Sequence, residues 1–166
     1  MTVPATPPLS SCARAATAAE ARYRIDAPIA PSRGARVIAL DEGAAVVVRE
    51  AASQPWASAR FFVCELGSKP ESGVHLSGIA GGSASLAEQL TDADVVVMVA
   101  TEDAGAPCAY SIGRACWERS IMTAGLVLGN GFEADRAVAA LRPHARVLLP
   151  SADAGDVIEL LVALRA

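Results

Sequence analysis

The chain predicts an α/β fold, on three observations. First, Val95–Ala100 is an unbroken, β-branched apolar run, far too short for a bilayer and suited to a strand buried on both faces. Second, Pro107 marks a first helical turn just beyond it, where a missing N–H costs nothing, and a second apolar run, Ile121–Leu128, follows the helix. Strand, crossover helix and strand make a βαβ unit with a right-handed connection. Third, the same alternation continues on either side of this unit. It adds up to five strands and five helices, hence a three-layer, Rossmann-like, doubly wound domain: a mostly parallel five-stranded sheet with helices on both faces.

The 166 residues suit one such domain. Residues 1–34 read as a separate leader. Pro4, Pro7 and Pro8 open it, an Ala-rich stretch follows, and Pro28, Pro31 and Gly34 close it. The folded domain is then 35–166.

Arg36–Leu40 is the first strand. Asp41-Glu42-Gly43 and the following AAVVVREAASQ are ambiguous. A helix is favoured, with Asp41 as N-cap, an acidic first turn, and Ala44, Ala45, Val48 and Ala52 inward. A hairpin stays open, because Gly43 suits a left-handed turn and Val46–Val48 favours a strand. Arg60–Leu66 (RFFVCEL) is the second strand.

Gly67–Ser83 reads as a long loop holding Gly67, Gly73, Gly78, Gly81 and Gly82. A short helix, Ala84–Leu90, follows. After the central unit, Asn130-Gly131 marks a turn, and Glu133–Leu141 is a helix that stops before Pro143. Arg146–Leu149 is the last strand. Asp153–Arg165 is an amphipathic helix with Val157, Leu160, Leu161 and Leu164 inward.

Composition narrows the function classes. A net charge of −4 argues against a nucleic-acid surface. No apolar stretch spans a bilayer, and the first residues lack the basic-then-apolar order of a signal peptide. A cytoplasmic protein without membrane contact is expected. Cys12, Cys64, Cys108 and Cys116 form no CxxC pair and no zinc spacing. They are expected to be small buried hydrophobes in a reducing cytosol rather than disulfide or metal partners.

In open sheets of this kind, ligands bind beyond the carboxyl ends of the strands, where strand order reverses. That rim is expected to carry Asp41, Glu42 and Gly43, the loop glycines Gly78, Gly81 and Gly82, and the turn residues Thr101, Glu102, Asp103 and Gly105. No catalytic residue, metal ligand or specific cofactor is assigned. A catalytic alternative draws on His75, Cys108, Glu102 and Asp103 at the same rim. A helix-start thiol can have a lowered pKa, although the acidic turn beside Cys108 opposes that. His144, after Pro143, complements a helix C-terminus.

In layout, residues 35–129 resemble the nucleotide-binding half of the FtsZ/tubulin family of GTPases. VIALDEG stands for the first strand and turn, FFVCEL for the second strand and SGIAGG for a glycine loop. ADVVVMVA follows, before a turn ending in Ala106-Pro107. The resemblance implies a nucleotide crevice at the rim. The chain departs from the family where phosphates would be held. DEG replaces a glycine-rich turn, and TEDAG replaces the run of glycines and threonines, keeping Thr101. The family's second domain, with its catalytic acidic loop, has no room here.

Four carboxylates at this rim would oppose a phosphate. One about 6 Å away costs roughly 0.7 kcal/mol in water and about 3 kcal/mol at an effective dielectric of 20. The opening VIALDEGAAVVVREA also resembles a response-regulator receiver domain, without a lysine after the last strand. The expected function is therefore a binding or regulatory module with a degenerate nucleotide site. A small molecule or a protein would be its partner, and homo-oligomerisation is expected to accompany it. An exposed patch around Trp117 would serve a protein partner.

Overall fold

The computed structural model describes residues 33–66, 74–129 and 133–166. The leader expected over 1–34, most of the 67–83 loop's first half, and the Asn130-Gly131 turn lie outside them. The two described residues of that leader belong to the folded body. Arg33 N–H donates to the Arg165 carbonyl at 3.1 Å, and Gly34 N–H donates to Asp94 Oδ2 at 2.8 Å.

Among the described residues, seven strands form one sheet. In chain order the elements are β1 (Ala35–Ala39), α1 (Glu42–Ala52), β2 (Arg60–Leu66), β3 (Val74–Gly78), β4 (Ser83–Ser85) and α2 (Leu86–Gln89). Then come β5 (Val95–Ala100), a 3-10 turn (Asp103–Gly105), α3 (Ala106–Glu118), β6 (Met122–Leu128), α4 (Asp135–Leu141), β7 (Val147–Ala152) and α5 (Ala154–Leu164). The order across the sheet is β4-β3-β2-β1-β5-β6-β7. β2, β1, β5, β6 and β7 run parallel, whereas β3 and β4 are antiparallel additions beyond β2.

The expected sheet of five strands is thus corrected to seven. VHLSG alternates apolar and polar residues, but only Leu76 is buried, too little periodicity to stand out in a glycine-rich stretch. The helix expected over Ala84–Leu90 shrinks to Leu86–Gln89, because Ser83–Ser85 pair with β3.

Alternation along the central strands sends side chains into two cores. Ile38, Val96 and Met98 pack with Cys108, Ile112 and Cys116 of α3 and Leu141 of α4. Val37, Val97 and Val99 pack with Ala44 and Val48 of α1 and Val157 and Leu161 of α5. All six residues of β5 are buried, as its unbroken apolar run requires.

Residues 42–52 are a helix and not a hairpin. Asp41 caps it, accepting from Ala44 N–H at 2.8 Å. Its inward face ends on Ala51, not Ala52. β7 extends past the expected Leu149 to Ala152 and takes in Pro150, which an edge strand tolerates.

The cysteine reading is also corrected. Cys64 of β2 and Cys108 of α3 form a disulfide, with Cα atoms 6.6 Å apart. They lie 44 residues apart, so no local spacing signalled the bond; the fold brings both into one core. Cys116 is free and buried, and burial pushes its thiol up to about 12, with Arg119 opposing the rise.

Candidate functional site

β1 sends the chain to β2 on one side, and its other neighbour is β5. The carboxyl ends of β1 and β5 therefore flank a crevice, and Asp41 and Thr101 stand there, each one or two residues beyond a strand. Asp41 is 7% exposed. Its carboxylate accepts from Thr101 N–H at 2.7 Å, Thr101 Oγ1 at 2.6 Å and Glu102 N–H at 3.2 Å, besides its own cap bond to Ala44 N–H. One side chain thus satisfies the start of α1 and the exit of β5. These backbone donors are the kind that hold a ligand anion at a helix start or turn. Here a protein carboxylate takes them.

Asp103 behaves likewise. Its Oδ1 accepts from Arg136 N–H at 2.8 Å and Ala137 N–H at 3.1 Å, capping α4 from 33 residues away. Two glycines at the rim serve packing. A Cβ on Gly43 would collide with the Thr101 hydroxyl, and one on Gly105 would lie 2.6 Å from Leu40 Cβ. Both positions need a bare backbone because another part of the chain presses on them. Glu42 and Glu102 are exposed; the Glu42 carboxylate lies 3.6 Å from Arg49 Nη1 in a surface pair.

Of the residues expected to share the rim, Asp41, Glu42, Gly43, Thr101, Glu102, Asp103 and Gly105 are brought to the carboxyl edge. Gly78, Gly81 and Gly82 are not. β3 is antiparallel, so its end at Gly78 lies beside Phe62, near the start of β2. There Gly78 N–H donates to the Gly82 carbonyl at 2.8 Å and Gly81 N–H to the Gly78 carbonyl at 2.9 Å. Gly81 and Gly82 have φ of +100° and +93°, so the segment is a tight hairpin turn at the opposite edge.

The catalytic constellation does not assemble either. Cys108 is bonded to Cys64 and has no thiol. His75 is exposed, and alternation points it to the opposite face from its buried neighbour Leu76, which packs with that disulfide. Among the described residues, no group of three or more His, Cys, Asp or Glu side chains is placed to hold a metal ion.

Arg36, Arg60 and Asp92, which no motif in the sequence marks as a site, meet at the amino edge. Arg36 is 2% exposed. It donates from Nε to the Gln89 carbonyl at 3.0 Å, from Nη1 to the Ala35 carbonyl at 3.2 Å, and from Nη2 to Asp92. Arg60 pairs with Arg36 in the β1–β2 register, and its Nη2 lies 3.7 Å from Asp92 Oδ2. The hydrogen bond from Arg36, then its charge, holds the Asp92 carboxyl below its ordinary value of 3.8. The available signal was an arginine opening each of two apolar strands.

Nearby, His144 presses on α3 where Gly113 leaves room, and its buried Nε2 makes no hydrogen bond. Trp117 is 74% exposed, whereas Trp56 is half-buried and donates to the Ala51 carbonyl at 2.7 Å.

No protein-family model matches the chain, and no curated protein matches it significantly.

Proposed function

We propose that the protein is a binding or regulatory module on a doubly wound scaffold, with a degenerate nucleotide site and no catalysis assigned to it. One observation carries this reading. The Asp41 carboxylate accepts from Ala44 N–H, Thr101 N–H, Thr101 Oγ1 and Glu102 N–H. It thereby uses the donors that a phosphate would need. A phosphate entering there meets a buried negative charge and finds those donors engaged. The resemblance of the VIALDEG and ADVVVMVA segments to the nucleotide-binding half of the FtsZ/tubulin family supports a scaffold that has exchanged its ligand anion for an internal one, while the SGIAGG glycines, at the other end of the sheet, add nothing to it. A receiver-like activity has less support, because Asp41 is tied into the structure.

Titration calorimetry with GTP, ATP, NAD and flavins, with and without Mg²⁺, tests the reading. No heat of binding is expected at micromolar concentrations, and micromolar affinity for any of them overturns it.

A protein partner is the second reading, supported by Trp117 and Tyr110, both exposed and seven residues apart on α3. Self-association is its simplest form, and light scattering of Trp117→Ser against the unaltered chain measures it. Among the described residues, no helix is long and apolar enough to cross a membrane. A cytoplasmic setting sits poorly with the Cys64–Cys108 bond, since disulfides are rare in reducing compartments. Alkylation of the two cysteines in intact cells distinguishes the compartments.

A further inference from the structure

A cleft of about 480 Å³ opens at the amino edge of the sheet, on the face that carries α3. Strand alternation decides which side chains enter it. Val96, Val127 and Leu148 point to the α3 side, so Asp94, Thr123 and Arg146, each an even number of residues earlier, share that face. The register agrees: Val96 pairs with Thr123, and Arg146 N–H donates to the Thr123 carbonyl at 2.9 Å. β5 and β7 flank β6, so two strand spacings, about 10 Å, separate the strand after Asp94 from the strand after Arg146. Met122 and Thr123 make the floor between them, and Trp117 and His144 line the walls.

We propose that this cleft binds a zwitterion with an aromatic ring, a free aromatic α-amino acid, with its ammonium on Asp94, its carboxylate on Arg146 and its ring against the Trp117 indole. Three features select that chemistry. The volume falls in the range of about 300–1,000 Å³ typical of small-molecule sites. The cleft also carries one carboxylate and one guanidinium, and among the described residues neither has an ion-pair partner. Asp94 Oδ2 accepts from Gly34 N–H at 2.8 Å, which leaves Oδ1 for an ammonium. Arg36 is the other charge beside Asp94: a Cβ on Gly34 would lie 3.5 Å from Asp94 Oδ2 and 3.6 Å from Arg36 Nη1. It stands on the β1 side, away from the cleft, and Gln89, Ala35 and Asp92 hold it. Arg146 is exposed, and a guanidinium forms a charge-assisted pair with a carboxylate. A lone anion would be opposed by Asp94 and a lone cation by Arg146, so a ligand with both charges is favoured over either. Third, Trp117 is 74% exposed and offers an indole against which a ring can stack.

The site lies at the opposite end of the strands from the crevice and does not rest on it. It shares only Trp117 with the protein-partner reading, and substitutions of Asp94 and Arg146 test it without touching that residue.

Calorimetry of the full chain with L-phenylalanine tests it, against probes that each lack one feature: 3-phenylpropanoate has no ammonium, 2-phenylethylamine no carboxylate and glycine no ring. Phenylalanine is expected to bind one site with a Kd near or below about 1 mM. Each of the others is expected to bind at least about fivefold more weakly. Asp94→Asn keeps an acceptor for Gly34 N–H, and it is expected to weaken phenylalanine about tenfold while leaving 3-phenylpropanoate no weaker. Arg146→Gln is expected to weaken phenylalanine about tenfold while leaving 2-phenylethylamine no weaker. Trp117→Ala weakens all three ring ligands about fivefold. All three positions are exposed, and thermal melting establishes that the variants fold; should one not fold, the other two carry the test. The proposal is overturned by no heat at 10 mM phenylalanine (roughly tenfold above the expected Kd), by any of the other probes binding as tightly as phenylalanine, or by a folded variant that binds phenylalanine unchanged.

Discussion

Asp41 grips Thr101 twice, at its backbone N–H and at its hydroxyl, across 60 residues of sequence. This ties the end of β1 to the end of β5, the two central strands whose divergence opens the crevice. Removing the carboxylate leaves several donors without partners, so Asp41→Ala is expected to destabilise the protein by about 3 kcal/mol. Asp41→Asn keeps one acceptor oxygen and is expected to cost less, about 1–2 kcal/mol. Urea unfolding of the two variants gives the comparison. Equal stability of Asp41→Ala and the unaltered protein would mean the brace is idle.

Asp103 caps α4 from a distant turn. Its replacement by Ala is expected to cost about 1 kcal/mol, the usual loss of an N-cap, and by Asn only part of that. Hydrogen exchange should localise the effect to the first turn of α4 rather than spread it over the sheet.

The disulfide closes a loop of 44 residues. On the chain-entropy account it contributes about 4 kcal/mol, so a reducing agent should lower Tm by roughly 10 °C. Cys116 behaves differently. Its pKa is raised above the ordinary 9.0 to about 12 by burial, so the neutral thiol is favoured in the fold. The associated stability is complete below pH 9 and declines as pH rises from 9 toward 12. Iodoacetamide should therefore leave Cys116 unmodified in the native protein at pH 8 and label it after unfolding. Labelling of Cys64 and Cys108 without a reductant would count against the bond.

Asp92 has a depressed carboxyl pKa, chiefly through its hydrogen bond from Arg36. A depressed folded value means stability that is present above the unfolded value of 3.8 and lost as pH falls through the folded one. Asp92→Asn should melt lower than the unaltered protein at pH 6, and the gap should narrow as pH falls below 3.8 and the carboxyl protonates. A constant gap between their melting curves at every pH would show that Asp92 contributes no charge interaction.

Gly113 meets His144. An added Cβ would sit 2.5 Å from the imidazole Cδ2. Gly113→Ala is expected to cost about 1–3 kcal/mol, the usual range for overpacking, despite its better helix propensity. His144→Ala in the same chain should recover most of that loss, which a double-mutant cycle by urea unfolding measures.

Much of the scaffold was written locally. The apolar run Val95–Ala100 could only be satisfied between two layers, and Asp41 and Pro107 marked helix starts through bonds made or not needed within one turn. Those features depend on residues a few positions apart, so period and capping expose them. The alternation in Val74–Gly78 was legible too, but five residues with one buried side chain were outweighed by the surrounding glycines.

The site depended on distances that sequence does not carry. Asp41 looked like a rim carboxylate facing ligand; folding places Thr101 on it, 60 residues on, and makes it an internal anion. Gly78, Gly81 and Gly82 looked like part of the same rim. One antiparallel strand moves them to the other end of the sheet, because reversing a strand exchanges its ends. Cys64 with Cys108, and Arg36 and Arg60 with Asp92, are likewise contacts between segments far apart in the chain. Sequence by itself determined the five parallel strands and the helices between them, since hydrogen bonding and burial within one element follow its own residues; β3 and β4 needed their partners to be seen. Tertiary structure alone decided which charges meet and which are spent on one another, because that is fixed by strand direction and order.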